Sequence, residues 1–64
     1  MNQQPRLENW VRYGTFFMGN VYNHLSFADG SLVRTSRCHA FSIEERWLET
    51  RNTRYALGTP AKSA

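Results

Sequence analysis

Little in this 64-residue chain could hold it together covalently. Cys38 is the only cysteine, so no internal disulfide can form, and disulfide-stapled toxins and secreted inhibitors are excluded. A lone thiol favours a cytoplasmic setting. Long apolar runs are missing too: none exceeds three residues, as in Phe16-Phe17-Met18, where a membrane-spanning helix needs about 20. No membrane partner is expected. The opening residues lack the basic-then-apolar pattern of a signal peptide, so none is expected either. Gly14 and Gly19 have neither the Walker nor the dinucleotide spacing, which removes a phosphate loop. One cysteine and two histidines without ligand spacing give no metal site. No cofactor is implied. A chain this short buries only roughly 60% of its unfolded surface, which leaves one small core and no room for a deep catalytic cleft.

What the chain does have is aromatic residues and arginine. Trp, Tyr and Phe make up 14% of the residues, and each large ring can bury about 150–250 Å². The net charge is +3, and all but one of its basic side chains (Lys62) are arginines. Arginine is planar, bidentate and weakly hydrated, which suits phosphate and protein interfaces alike.

The polar segments 1–6 and 59–64 read as tails around a single domain over residues 7–58. From Trp10 to Ile43 the β-branched and aromatic runs read as strands, interrupted by Gly14 and by Gly19-Asn20. A glycine inside such a run marks a bulge or a sharp bend. Residues 23–30 read as a loop ending in the tight turn Asp29-Gly30. In the segment 38–43, Phe41 and Ile43 share one face and Cys38 and Ala40 the other; a bulge near Ser36 would decide which faces the core. Residues 43–57 support two readings. Ser42 with Glu45 forms a capping box that would start a helix over 43–57, with Ile43, Trp47 and Leu48 on one face. Alternatively, Arg46–Thr50 and Thr53–Leu57 are two strands joined by an Arg51-Asn52 turn. The threonines at 50 and 53 weaken the helix and tip the balance toward strands.

Three stretches carry a resemblance: residues 19–24, residues 27–36 with the Asp29-Gly30 turn, and residues 50–58 with Thr50-Arg51-Asn52-Thr53-Arg54-Tyr55. Together they resemble a group of short uncharacterised proteins of bacteria, phages and other mobile elements, over about residues 7 to 58. The resemblance implies a compact β fold with hairpin ends at Asp29-Gly30 and Arg51-Asn52. It implies no activity. The chain departs from the group at Glu44-Glu45-Arg46-Trp47, where a shorter turn is the rule.

Candidate chemistry is sparse. Cys38 and His39 are adjacent, and on a strand adjacent side chains point to opposite faces, so they form no nucleophile–base pair. Glu44, Glu45 and Glu49 read as a solvated acidic edge. The chain is therefore expected to have no catalytic residues. Arg34, Arg37, Arg51 and Arg54, with Tyr55 and the nearby Trp47, form the candidate partner-binding set. If the two arginine segments meet, they make one basic face opposite the glutamates.

These observations predict an all-β fold, a small five-stranded SH3-like barrel or a strongly twisted antiparallel sheet. The alternative is a β-sheet with one helix over residues 43–57. The expected function is a non-catalytic macromolecular binding module of the mobile-element type. Its concrete form is an inhibitor of host defence, such as an anti-CRISPR protein that blocks a surface of the effector complex. The alternative is a small basic nucleic-acid-binding β-barrel. The partner is then another protein, a nucleoprotein complex or nucleic acid, and a weak homodimer through an exposed strand edge is a further expectation.

Overall fold

Two antiparallel meanders build the molecule. In the computed structural model, which describes residues 4–61, β1 (Arg6–Tyr13), β2 (Phe16–Tyr22) and β3 (Ser31–Arg34) form the first. The second consists of β4 (Cys38–Ser42), β5 (Trp47–Thr50) and β6 (Arg54–Leu57). Parallel pairing of Arg6-Leu7 with Ala56-Leu57 joins them into one mixed sheet of order β3-β2-β1-β6-β5-β4. The all-β expectation is met, with six strands where five were expected; the sheet is open rather than a barrel, and mixed rather than wholly antiparallel. The barrel fails because β3 and β4 stand at opposite edges with no ladder between them. Three residues, Thr35 to Arg37, carry the chain from one edge to the other. Cys38 N–H donates to the Thr15 carbonyl (2.7 Å) at the β1–β2 turn, whereas Thr35 N–H, donating to that of Phe17 (2.8 Å), only continues the β2–β3 ladder.

Period-two alternation puts Phe17, Gly19 and Val21 of β2 inside and Phe16, Met18 and Asn20 toward the other face. With Leu7, Val33, Leu48, Tyr55 and Leu57 they form the core, where Phe17, Leu7, Leu48 and Val21 are fully buried.

Two bulges set the remaining parities. In β1 the register slips between Glu8 and Val11, and Asn9 takes φ +54°. Trp10 therefore returns to the core side, packs on Phe17 (centroids 5.7 Å) and donates its indole N–H to the Gly58 carbonyl (2.9 Å). Gly19 lies against this bulge, where a Cβ would stand 2.7 Å from the Glu8 carbonyl oxygen and 3.0 Å from the Trp10 Cα. The glycine is thus part of a continuous strand, and the bend belongs to its neighbour. In β4 the slip falls between Cys38 and Ala40, at His39 rather than near Ser36. It puts Cys38, paired with Thr50, on the same inner face as Phe41, paired with Leu48, so Cys38 and Ala40 do not share a face.

The helix over 43–57 does not form. Ser42 Oγ does accept the Glu45 N–H (3.1 Å), as a capping residue would. Arg46 then takes φ +63°, its carbonyl accepts Leu57 N–H, and the chain reverses into β5. Alternation decides the outcome: Leu48 and Thr50 point inward, as do Tyr55 and Leu57, a period that fits strands. The Asp29-Gly30 and Arg51-Asn52 turns are both present, with Gly30 at φ +87°. Arg6, assigned to the first tail, opens β1, and Pro5 accepts Ala56 N–H. At the other end Thr59 N–H reaches Glu8 Oε1 (2.7 Å), and Ala61 N–H reaches the Trp10 carbonyl. Residues 1–3 and 62–64 of the expected tails lie outside the described residues.

Gly19→Ala should lower stability by about 1–3 kcal/mol, because the obstructing atoms are backbone and cannot move aside. Gly30→Val should have a similar effect, about 1–3 kcal/mol, through its left-handed φ, although a Cβ there would meet only Tyr22 Oη, at an ordinary 3.9 Å. Urea denaturation midpoints measure both; an unchanged midpoint for Gly19→Ala would mean that the bulge relaxes.

Candidate functional site: a basic cleft between three turns

The expected basic set divides into two structural groups. Arg34 and Arg54 stand on the outer face of the sheet and are stacked. The Arg34 guanidinium carbon lies 5.2 Å from the Phe16 ring centroid, and that of Arg54 lies 4.4 Å from the Trp47 ring. Arg6 over Tyr22 (4.8 Å) and Arg12 over Phe41 (4.6 Å) repeat the arrangement. Each exposed stack contributes about 0.5–1 kcal/mol and fixes the guanidinium plane. Arg6 also pairs with Glu8 (2.6 Å), and Arg12 donates to the Gly14 carbonyl (3.0 Å).

Arg37 and Arg51 form the other group. Among the described residues neither makes an ion pair, a side-chain hydrogen bond or a ring stack. Both line one open cleft of about 650 Å³, together with Thr15, Ser36, Cys38, His39 and Asn52. Three turns converge to make it. The β1–β2 turn supplies Thr15, the β3–β4 link Ser36 and Arg37, and the β5–β6 turn Arg51 and Asn52. The Cys38–Thr15 backbone bond ties the first two turns together, and the pairing of Cys38 with Thr50 brings in the third. No carboxylate lines the cleft. The nearest one tied to it is Glu49, whose Oε1 is 3.1 Å from His39 Nε2.

Tyr55 is not on this surface. It is 5% exposed and its ring packs 5.8 Å from that of His24, because odd-numbered residues of β6 face the core. Trp47 is half-buried beneath Arg54, with its indole N–H on Glu45 Oε1 (3.1 Å). The four arginines therefore do not form one face with Tyr55. Arg54 lines a second cleft of about 560 Å³ on the other side of the β5–β6 turn, with His24 and Leu25. The glutamates are divided as well, Glu44 and Glu45 in the β4–β5 turn and Glu49 on β5 beside His39. Sequence reasoning missed Thr15 and His39 as cleft residues. Thr15 is distant in sequence from the arginines, and His39 enters the cleft only because the β4 bulge displaces it.

Cys38 is buried where it lines the cleft. Its sulfur sits 3.9 Å from Thr35 Oγ1 and 3.9 Å from the Ser36 carbonyl, while His39 turns to Glu49. Burial pushes the thiol above its usual 9.0, outweighing the Thr35 hydrogen bond and the Arg12 charge. Tyr55 is likewise raised above 10.0, by burial first and by Cys38 second. Among the described residues no group of three His, Cys, Asp or Glu side chains is placed to hold a metal. No helix among them is long and apolar enough to cross a membrane.

No family model, no curated protein and no solved structure matches the chain.

The two raised values predict alkaline sensitivity. Both acids release their protons more readily when unfolded, so their contribution is fully present below 9.0 and is lost as pH rises through the higher folded values. Urea midpoints of the wild type should fall above pH 9.0, and Cys38→Ala should remove the first part of that fall and lessen, without abolishing, the later Tyr55 part, which rests mainly on burial. Identical pH profiles for the two proteins would show that the thiol does not contribute.

Proposed function

We propose that this protein is a non-catalytic binding module of the mobile-element type, which acts by occupying a surface on a protein or nucleoprotein partner. Its concrete form is an inhibitor of host defence that covers part of a CRISPR effector complex. One observation carries the reading: Arg37 and Arg51 have no partner among the described residues, yet line the same cleft. Two like charges held near one another repel, so the arrangement favours an anionic partner. The resemblance to short phage and mobile-element proteins points the same way. Direct nucleic-acid binding is the second reading, favoured by the hydroxyl and amide groups of Thr15, Ser36 and Asn52 in the cleft.

Phage plating tests the inhibitor form. Expression of the chain in bacteria whose CRISPR effector targets a phage should raise plating efficiency, and Arg37→Glu with Arg51→Glu should return it to the untreated level. The double variant should stay folded, within about 0.5 kcal/mol per site, because both side chains are exposed and unpartnered. A folded double variant that still protects the phage would overturn the assignment of this cleft.

A further inference from the structure

The seven arginines are unequally provided for. Four lie over aromatic rings, and Arg37, Arg46 and Arg51 do not. Of these three, Arg46 sits in the β4–β5 turn, at the other end of β5 from Arg51, and only Arg37 and Arg51 share a cleft. Guanidinium, hydroxyl and amide groups together form a donor set suited to phosphate oxygens. The volume of about 650 Å³ exceeds what a bare anion fills. Beyond the three-residue turn, Arg54 is exposed, with its guanidinium carbon over the Trp47 ring at 4.4 Å from the centroid. A guanidinium stacked on one side offers its other side to a base.

We propose that this cleft binds a backbone phosphate of single-stranded nucleic acid, with Arg37 and Arg51 gripping the phosphate and the Arg54–Trp47 stack receiving a neighbouring base. The assignment rests on the binding-module reading of the same surface and names the chemistry it recognises. Single strands are favoured over duplex because only an unpaired base can lie on the Arg54 plane. Asn52, at the crest of the turn, lines both this cleft and the one Arg54 borders, so the two clefts adjoin. Glu49 touches His39 but does not itself line the cleft, so no carboxylate stands among the lining side chains.

Fluorescence anisotropy with a labelled oligothymidylate, read at several salt concentrations, tests this on the full chain. Arg37→Gln and Arg51→Gln should each weaken binding by about tenfold. Each should also reduce the slope of log affinity against log salt by about 0.7, the single-strand value for one lost phosphate contact. Arg46→Gln, which removes the same charge outside the cleft beside Trp47, should weaken binding less than either. Arg54→Lys should lower affinity without altering the slope, since it keeps the charge and loses the flat plane. Circular dichroism checks that every variant is folded. The proposal is overturned if oligothymidylate does not bind, if Arg46→Gln weakens binding as much as the cleft variants, or if a duplex of the same length binds as tightly. It is also overturned if polyglutamate competes equally; in that case the cleft serves an acidic protein, and the binding-module reading stands without this one. Loss of phage protection in the double reversal, with no oligothymidylate binding, separates the two in the same way.

Discussion

The close approach of Gly19 to the bulge at Asn9 and Trp10 is the constraint on which the rest of the structure depends. Two residues of β1 face one of β2, so the inward parity of β1 changes after Leu7. Trp10 and Arg12 then share the core side with Leu7, while Val11 and Tyr13 face solvent. Trp10 closes one end of the core through Phe17, Gly58 and the bridge to Pro60. Arg12 lies over Phe41 on the far edge strand, across the gap that would separate the two sheet edges. A side chain at position 19 would meet backbone there, which is why the site requires glycine.

That arrangement explains an open sheet that nonetheless encloses a core. Phe17 meets Phe41 edge-on at 5.7 Å, and Thr35 Oγ1 accepts the Phe17 N–H (3.0 Å). Side chains and the Cys38–Thr15 backbone hydrogen bond span the gap where a barrel would have a ladder. The short β3–β4 link is consequently exposed at the rim, facing the β1–β2 and β5–β6 turns, and the basic cleft forms between them. The site is a product of incomplete closure.

The partition of arginines follows from strand geometry. On a strand, a guanidinium can reach the ring of a neighbouring strand, as Arg54 reaches Trp47 and Arg6 reaches Tyr22. Arg37 and Arg51 sit in turns, where no ring stands beside them. Among the described residues their charges have no ion-pair partner, and the fold places them in one cleft.

The sequence by itself determined the strand composition, the Asp29-Gly30 and Arg51-Asn52 turns, the unpaired thiol and the arginine bias, because these follow from local preference and alternation. The two readings of residues 43–57 could not be separated locally, since the Ser42–Glu45 contact forms in a reversing turn as readily as at a helix start. Tertiary pairing chose the hairpin by aligning Leu48 with Tyr55 and Phe41. Six strands rather than five, the edge positions of β3 and β4, and the bulges at Asn9 and His39 were also decided there. The same holds for the site. The residue types of Arg37 and Arg51 were legible, but Tyr55 went inward by the parity of β6, and Arg34 and Arg54 went to rings. Only the long-range pairing of three turns, far apart in sequence, determined that Thr15 and His39 would join the two free arginines in one cleft.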